Sequence, residues 1–353
     1  MIRFDAGRWA PRAALLSGLL AAAAAGPVLA QNEPMTPDAA RPDQTLPVPD
    51  LRPSLAPEAG EDENAGAAIP DRGAANRQGS SASAYAAFQR GYYLSAMEIA
   101  EPLAKLGDPA AQALLGEIYE NGLGVPVDVD QAARWFEAAA ESGDPAAQFS
   151  FAMLLLSGTG IARDEARALE LLKQAADAKL PLAEFNYAQL LVQTSPASGF
   201  AAAVPYFRSA GNAGIADAQY AMSQLLASGQ GIEKSETDAR DWLRRAAVNG
   251  FGIAEIEYGI WLLNGRGGPK RSEEGFDFLR KAALDGNAIA INRVAHLYKD
   301  GLGTKPDIAE AAKWAVIAKR LDNSDPVLDD FFKGLSDEAQ KAALEEANRF
   351  RTG

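Results

Sequence analysis

The chain contains 353 residues, of which 47 are acidic and 34 are basic, and its formal net charge at neutral pH is −13. This acidic excess argues against nucleic-acid binding, which depends on Lys and Arg to neutralise phosphates, and against association with anionic lipid surfaces. The sequence has no Cys and one His, which excludes disulfides, thiol nucleophiles and Cys-ligated metal sites.

The first 30 residues have the pattern of a cleavable secretory signal. Three arginines precede a mainly small and apolar segment at residues 13–25, and the sequence Val-Leu-Ala that ends at Ala30 fits a cleavage site. The apolar segment is shorter than the roughly 20 residues that a membrane-spanning helix needs. We therefore expect cleavage after Ala30, a mature chain that begins at Gln31 without membrane insertion, and a periplasmic or secreted location.

Residues 31–80 differ in composition from the rest of the chain. They contain eight of the 20 prolines, nine acidic residues, four arginines and no aromatic residue. Such a segment cannot bury enough apolar surface to offset the entropy lost on ordering, so we expect a disordered, acidic, Pro-rich linker. It is either a passive spacer or an arm that recognises a partner, and composition alone does not separate these alternatives.

Six similar segments follow one another between residues 107 and 320, and we number them repeat one to repeat six. They begin at Gly107, Gly143, Lys179, Gly214, Gly250 and Gly286, which gives a spacing of 36 residues, or 35 between the third and the fourth. A fixed period of this size predicts a stack of similar helical units. Residues 81–106 are predicted to form a helical pair that caps the N-terminal end of the stack, and residues 321–353 to form capping helices at the C-terminal end.

Each repeat is predicted to fold as a helix, a tight turn and a second helix. In repeats one and two, Asp108 and Asp144 occupy the N-cap position of the first helix, and each is followed by a Pro that suits the first helical position. The first helix ends at a pair of glycines, which favour the left-handed backbone conformation common at helix C-termini. These pairs are Gly122 and Gly124, Gly158 and Gly160, Gly229 and Gly231, Gly265 and Gly267, and Gly301 and Gly303.

Large and small side chains also recur at fixed positions of the repeats. One large side chain recurs in the second helix, and we expect it to be a core wedge that packs against small residues of neighbouring helices. This column reads Trp135, Leu171, Tyr206, Trp242, Phe278 and Trp314. Small residues recur in the first helix at Gly116, Ala152, Ala188, Ser223, Gly259 and Ala295.

Repeat one carries the residues of a known family pattern. They are Ala110-Ala111-Gln112, Leu115-Gly116, Tyr119, Gly122-Leu123-Gly124-Val125-Pro126, Asp128, Ala132, Trp135, Ala139-Ala140 and Gly143. The pattern resembles the Sel-one-like repeat, a relative of the tetratricopeptide repeat, and the resemblance extends over residues 82–320. It implies an all-α fold, a right-handed α-solenoid of antiparallel helix pairs. Repeat three departs from the pattern, because residues 194–199 replace the glycine pair and one residue is deleted, so we expect its turn geometry to differ.

No constellation of catalytic residues stands out in the sequence. The single histidine, His296, occupies a first-helix position where the other repeats carry Glu, Met, Gln or Ile, so we predict a surface imidazole without a positioned partner. The glycine pairs follow helices and lack the Gly-Lys-Ser/Thr ending of phosphate-binding loops. We therefore predict no catalytic residue, no metal site and no cofactor, and a protein that is not an enzyme.

The resemblance also implies where a partner binds, namely on the concave side of the solenoid, which the first helices line. Two first-helix positions vary in chemical character from one repeat to the next, as expected of a surface that contacts a partner. The predicted groove residues at these positions are Ser150, Met153, Asn186, Gln189, Gln224, Glu257, Ile260, Arg293 and His296.

The sequence thus favours an exported, non-enzymatic adaptor or scaffold, a monomer that binds a segment of an envelope or periplasmic protein in this groove. The resemblance extends to periplasmic regulators of sensor kinases and to scaffolds of envelope assembly, without choosing between them. The alternative is a protein that binds peptidoglycan or a β-lactam, or that hydrolyses one weakly. Relatives of that kind pair cysteines within each repeat, and this chain has none.

Overall fold

The computed structural model describes residues 79–195 and 198–350. The predicted signal peptide lies outside the described residues, and so does the predicted linker up to residue 78. The last three residues of the predicted C-terminal cap, 351–353, also lie outside them.

The secondary structure of the described residues is entirely α-helical, so the predicted all-α fold is confirmed. Sixteen helices follow one another in this part of the chain, with no strand between them. They are α1 (Ser81–Gln89), α2 (Tyr93–Lys105), α3 (Pro109–Asn121), α4 (Val129–Glu141), α5 (Pro145–Ser157), α6 (Glu165–Asp177), α7 (Pro181–Thr194), α8 (Gly199–Asn212), α9 (Ala216–Ser228), α10 (Glu236–Val248), α11 (Gly252–Asn264), α12 (Ser272–Leu284), α13 (Ala288–Asp300), α14 (Ile308–Arg320), α15 (Pro326–Lys333) and α16 (Asp337–Arg349).

These helices form a solenoid, in which each helix packs mainly on its neighbours in sequence. α1 and α2 pair at the N-terminal end, and six pairs follow, from α3 with α4 to α13 with α14, one pair for each repeat. The odd-numbered member of each pair is the first helix of its repeat. At the C-terminal end, α15 and α16 both pack on α14. The contacts are therefore local in sequence, as the repeat period predicts.

Short polar side chains begin many of the helices as N-caps. Asp108 caps α3 by accepting a hydrogen bond from the backbone N–H of Ala111 at 2.9 Å, and Asp144 caps α5 in the same way. Each such bond satisfies a backbone donor that the first turn of a helix leaves unpaired. The same arrangement begins second helices α4, α6 and α14 at Asp128, Asp164 and Asp307.

The two glycines of each turn have different roles. The first ends the first helix in the left-handed conformation, with φ between 65° and 77° in the five repeats that carry the pair. The second also has a positive φ, and it lies against the second helix of the preceding unit. At Gly303, a Cβ would overlap the carbonyl oxygen of Ser272 and crowd Phe276, at the start of α12. The second glycine therefore permits one repeat to stack on the next.

In four of the six repeats the core wedge lies one residue further along the second helix than predicted, whereas Leu171 and Trp314 are buried as predicted. Four members of the predicted column are only half-buried, namely Trp135, Tyr206, Trp242 and Phe278. The residue after each column position is buried in all six repeats, giving the series Phe136, Leu172, Phe207, Leu243, Leu279 and Ala315. Two of the half-buried side chains contact the preceding repeat: Trp242 lies against Gly211, and the Tyr206 hydroxyl donates to Asp177 at 3.3 Å. These two thus join adjacent second helices, whereas Phe278 packs edge-on against Tyr258 of its own repeat, with ring centroids 5.1 Å apart.

Repeat three has a shorter turn than the other five repeats. Its first helix ends at Thr194 and its second begins at Gly199, so four residues join them, whereas seven residues, such as 122–128, join the two helices in each other repeat. Gly199 is required for a different reason from the glycine pairs, because a Cβ there would overlap the carbonyl oxygen of Leu191 in α7. The turn of repeat three therefore differs from the others, as its sequence predicts.

Candidate functional site

The nine predicted groove residues all lie on first helices, from α5 to α13. The structure places them at different depths, because each first helix packs against several neighbours. Three are buried (Ser150, Gln189 and Gln224), five are half-buried (Met153, Asn186, Glu257, Ile260 and His296), and Arg293 is exposed. Ser150 and Gln189 therefore lie within the packed repeats rather than on a surface that a partner could reach.

Gln224 and Glu257 connect the first helices of repeats four and five. Gln224 Nε2 donates a hydrogen bond to Glu257 Oε2 at 2.9 Å, which links α9 to α11. Tyr220 also hydrogen-bonds to Glu257, and burial together with the charge of that carboxylate raises the pKa of the Tyr220 hydroxyl. The Tyr220 ring packs on Phe251, with ring centroids 5.0 Å apart. Two of the predicted residues thus meet in one polar cluster across a repeat boundary.

His296 lies in a second polar cluster, between α13 and the C-terminal cap. Its Nε2 is 2.7 Å from Asp325 Oδ2, and Asn292 Nδ2 donates to the same oxygen at 3.0 Å. Asp325 Oδ1 accepts from the backbone N–H groups of Val327 and Leu328, at the start of α15. The prediction that the imidazole has no positioned partner is therefore wrong. The partner lies beyond the repeats, where the repeat pattern carries no information.

Asp325 is expected to make the stability of the C-terminal end depend on pH. Burial disfavours its charged form, but hydrogen bonds from His296, the Leu328 N–H and Asn292 outweigh burial and lower the pKa of Asp325 from 3.8 to about 2. Because the folded pKa lies below the unfolded one, the stabilisation is complete above about pH 4 and is lost as the pH falls towards about 2.

The measurement is urea unfolding at a series of acidic pH values for the wild type and for Asp325→Asn, which keeps an N-cap residue at α15. The wild type should lose stability more steeply than the variant between about pH 4 and pH 2. Equal acid losses in the two proteins would contradict the assignment.

Three further predicted residues make their contacts within the repeats. Asn186 Nδ2 donates to the Leu182 carbonyl of its own helix at 2.7 Å. Met153 and Ile260 pack against the apolar core. Of the nine predicted residues, Arg293 is thus the one that is exposed and makes no hydrogen bond or ion pair within the described part of the chain.

Two exposed isoleucines adjoin the predicted groove and were missed by the sequence patterns. Ile253 and Ile289 are 54% and 56% exposed, and each lies four residues before a predicted residue, Glu257 or Arg293, on the same helix face. Repeats one and two carry Ala at this position, so the change to Ile is the signal that could have identified them. We define the first-helix face of repeats four to six by Tyr220, Gln224, Ile253, Glu257, Ile260, Ile289, Arg293 and His296.

Glu184 and Glu255 are buried carboxylates, a class of group that often takes part in acid–base chemistry. Each is paired, because Lys179 Nζ lies 3.3 Å from Glu184 and Lys281 Nζ lies 2.5 Å from Glu255. Repeats one, two and four carry Gln at this position, and there the amide donates to the end of the preceding second helix, as from Gln219 to α8 at 2.8 Å. This position of the first helix therefore serves to connect helices. Glu184 and Glu255 have the same structural role there as the glutamines of the other repeats.

Among the described residues, no group of three or more His, Cys, Asp or Glu side chains is arranged to hold a metal ion. Within the same ranges, no helix is both long and apolar enough to cross a membrane. Apart from Arg293, the polar side chains of the first-helix face form hydrogen-bonded clusters, one between α9 and α11 and one at the C-terminal cap.

Comparison with models of protein families matches five segments of the chain to the Sel1 repeat. The segments are residues 109–144, 145–180, 216–251, 252–287 and 288–323, which together make up just over half of the chain. This chain belongs to the Sel1 repeat family. The Sel-one-like resemblance of the sequence is thereby confirmed. Residues 181–215, which contain the shortened turn of repeat three, lie between the matched Sel1 segments.

Solved structures with this fold include two that align well with the Sel1 solenoid. The Sel1 repeat protein from Oxalobacter formigenes aligns with a TM-score of 0.57 and 24% identity, over 67% of this chain and 96% of that one. The protein c5321, a protective antigen present in uropathogenic Escherichia coli strains, aligns with a TM-score of 0.61 and 24% identity, over 77% of this chain and 61% of that one. A comparison with curated proteins finds no match. Sel1 repeat proteins are generally non-catalytic scaffolds of protein–protein interaction.

Proposed function

We propose that this protein is an exported, non-enzymatic adaptor that binds a segment of an envelope protein on the first-helix face of repeats four to six. The observation that carries the proposal is the exposure of Ile253 and Ile289, each one helical turn before a polar residue of the face, Glu257 or Arg293. Exposed aliphatic groups next to oriented polar groups are typical of surfaces that bind another protein. Such binding suits a regulator of an envelope sensor or a scaffold of envelope assembly.

The corresponding surface of repeats two and three offers less to a partner. Ser150 and Gln189 are buried, Asn186 bonds to its own helix, and Met153 packs on the core. Repeats four to six, by contrast, expose Ile253, Ile289 and Arg293 on their first helices. This contrast favours the C-terminal half of the solenoid as the binding region.

Export is part of the proposal and rests on the first 30 residues. A basic start, an apolar segment and a small-residue motif that ends at Ala30 are the features of a signal peptide. N-terminal sequencing of the protein from the periplasmic fraction is expected to begin at Gln31. Retention of the uncleaved chain in the cytoplasm would contradict export.

Site-specific photo-crosslinking in the native organism tests the binding surface. A photoreactive residue replaces Ile253 or Ile289, and the matched controls replace Arg134 and Arg208, which are exposed on second helices α4 and α8. We expect crosslinks to another protein from the two isoleucine positions and none from the controls. The proposal fails if the controls crosslink the same protein equally, or if the isoleucine positions crosslink none.

A further inference from the structure

Arg293 is the one basic residue without a partner on the first helices of the six repeats. These helices, all of which are described, contain two basic residues, Arg293 and Lys299, and Lys299 Nζ lies 2.5 Å from Asp300. The exposed guanidinium of Arg293 makes no hydrogen bond or ion pair with any described residue. Because Lys299 is paired, Arg293 is the single free cation on this row of helices, and it marks one position at which a partner's anion is favoured.

The carboxylates of the same surface are engaged with other groups. Glu257, at the equivalent position of the preceding repeat, accepts hydrogen bonds from Gln224 and Tyr220. Asp325 uses both of its oxygens, Oδ1 for the first backbone N–H groups of α15 and Oδ2 for side chains of α13. Neither carboxylate pairs with Arg293, so the guanidinium has its full hydrogen-bonding capacity available to a partner.

One exposed isoleucine lies next to this cation on α13, and a second lies on the first helix of the preceding repeat. Ile289 precedes Arg293 by one turn of α13, and Ile253 holds the equivalent position on α11. Both side chains are more than half exposed. A guanidinium binds a carboxylate through two parallel N–H···O bonds, and aliphatic side chains gain from burial against each other. The surface is therefore complementary to a segment that carries both kinds of group.

We infer that the bound segment packs aliphatic side chains on Ile253 and Ile289 and places an Asp or Glu carboxylate on Arg293. The inference rests on the proposed function, because it specifies the partner of the same surface. Since the first helices offer no second free cation, the carboxylate has one docking position. That position fixes the register of the segment along the repeats.

Selection from a random dodecapeptide phage library tests the inference on the full mature chain. The targets are the wild type, Arg293→Glu, and the matched charge reversal Arg208→Glu on α8, with folding checked by circular dichroism. We expect the wild type and Arg208→Glu to enrich peptides in which an acidic residue lies near Ile, Leu or Val. Synthetic copies of these peptides should bind Arg293→Glu at least about tenfold more weakly, and selection on that variant should enrich Lys or Arg instead.

Two further outcomes separate this inference from the proposed function. If enriched peptides lose binding to the double variant Ile253→Asp, Ile289→Asp but bind Arg293→Glu unchanged, the surface is a binding site and the acidic partner is wrong. If no peptide is enriched, or if the enriched peptides bind the double variant unchanged, the proposed function fails as well. Sedimentation that shows a dimer of the wild type and a monomer of the double variant would assign the surface to a second copy and would overturn the inference.

Discussion

Replacing Gly303 by Ala is expected to lower the free energy of unfolding by about 2–5 kcal/mol. Gly303 has a φ of 73°, a conformation that costs a residue with a Cβ about 1–2 kcal/mol. The added methyl group would also overlap the carbonyl oxygen of Ser272 and crowd Phe276. Because one of these neighbours is backbone, relief requires α12 to move away from the turn, and such overpacking typically costs about 1–3 kcal/mol.

Gly286→Ala is the matched control for this substitution. Gly286 has a φ of 87°, but a Cβ there would meet no atom within 4 Å. We expect a loss of about 1–2 kcal/mol from backbone conformation alone. Urea unfolding followed by circular dichroism measures both losses. Equal losses in the two variants would show that the second glycine of the turn does not serve stacking.

The two glycines show what could be predicted from the repeated sequence. The first was predictable, because a left-handed residue at a helix C-terminus is a property of one helix and its local sequence. The role of the second depends on the helix of the preceding repeat, which approaches it only in the folded stack. The spacing of the sequence therefore located both glycines, but it did not predict which residues either glycine contacts.

Arg240 shows how a contact can place an unexpected residue in the core. Its column in the second helix carries Ala, Leu, Val or Phe in the other repeats, which predicts an apolar core position. Arg240 is buried there, and its Nη1 donates to the carbonyl oxygens of Pro269 at 3.0 Å and Arg266 at 3.4 Å in the turn of repeat five. A buried cation requires hydrogen-bond acceptors of this kind. Because these acceptors are backbone carbonyl groups, the pattern of side chains in the sequence could not reveal them.

The burial of each predicted groove residue could not be predicted from the sequence. The resemblance placed these residues on the first helices, yet Ser150 is buried and Arg293 is exposed at equivalent positions of repeats two and six. The difference arises because neighbouring helices cover each first helix to an extent that depends on the side chains around it. Asp325, which anchors His296, lies in the C-terminal cap, so no comparison between repeats could have revealed it.

The position of the core wedge leads to the prediction with the largest expected effect. Phe207→Ala is expected to lower the free energy of unfolding by about 3–5 kcal/mol, because its side chain is completely buried and removal leaves a cavity. Phe207 packs in the core of repeats three and four, with its ring centroid 5.9 Å from that of Phe185. Few neighbouring side chains can collapse into the space, since they are held by helices on both sides.

Tyr206→Ala is the matched control, because Tyr206 has nearly the same size, precedes Phe207 in α8 and belongs to the column that the sequence predicts to be the wedge. It is half-buried, its ring packs edge-on against Tyr187 at 4.9 Å, and its hydroxyl reaches Asp177 at 3.3 Å. We expect its removal to cost about 1–2 kcal/mol. Urea unfolding of the two variants under the same conditions tests whether Tyr206 or Phe207 is the core wedge of repeat three. A larger loss in Tyr206→Ala would show that the predicted column supplies the core wedge of repeat three, whereas the opposite order would assign that wedge to Phe207.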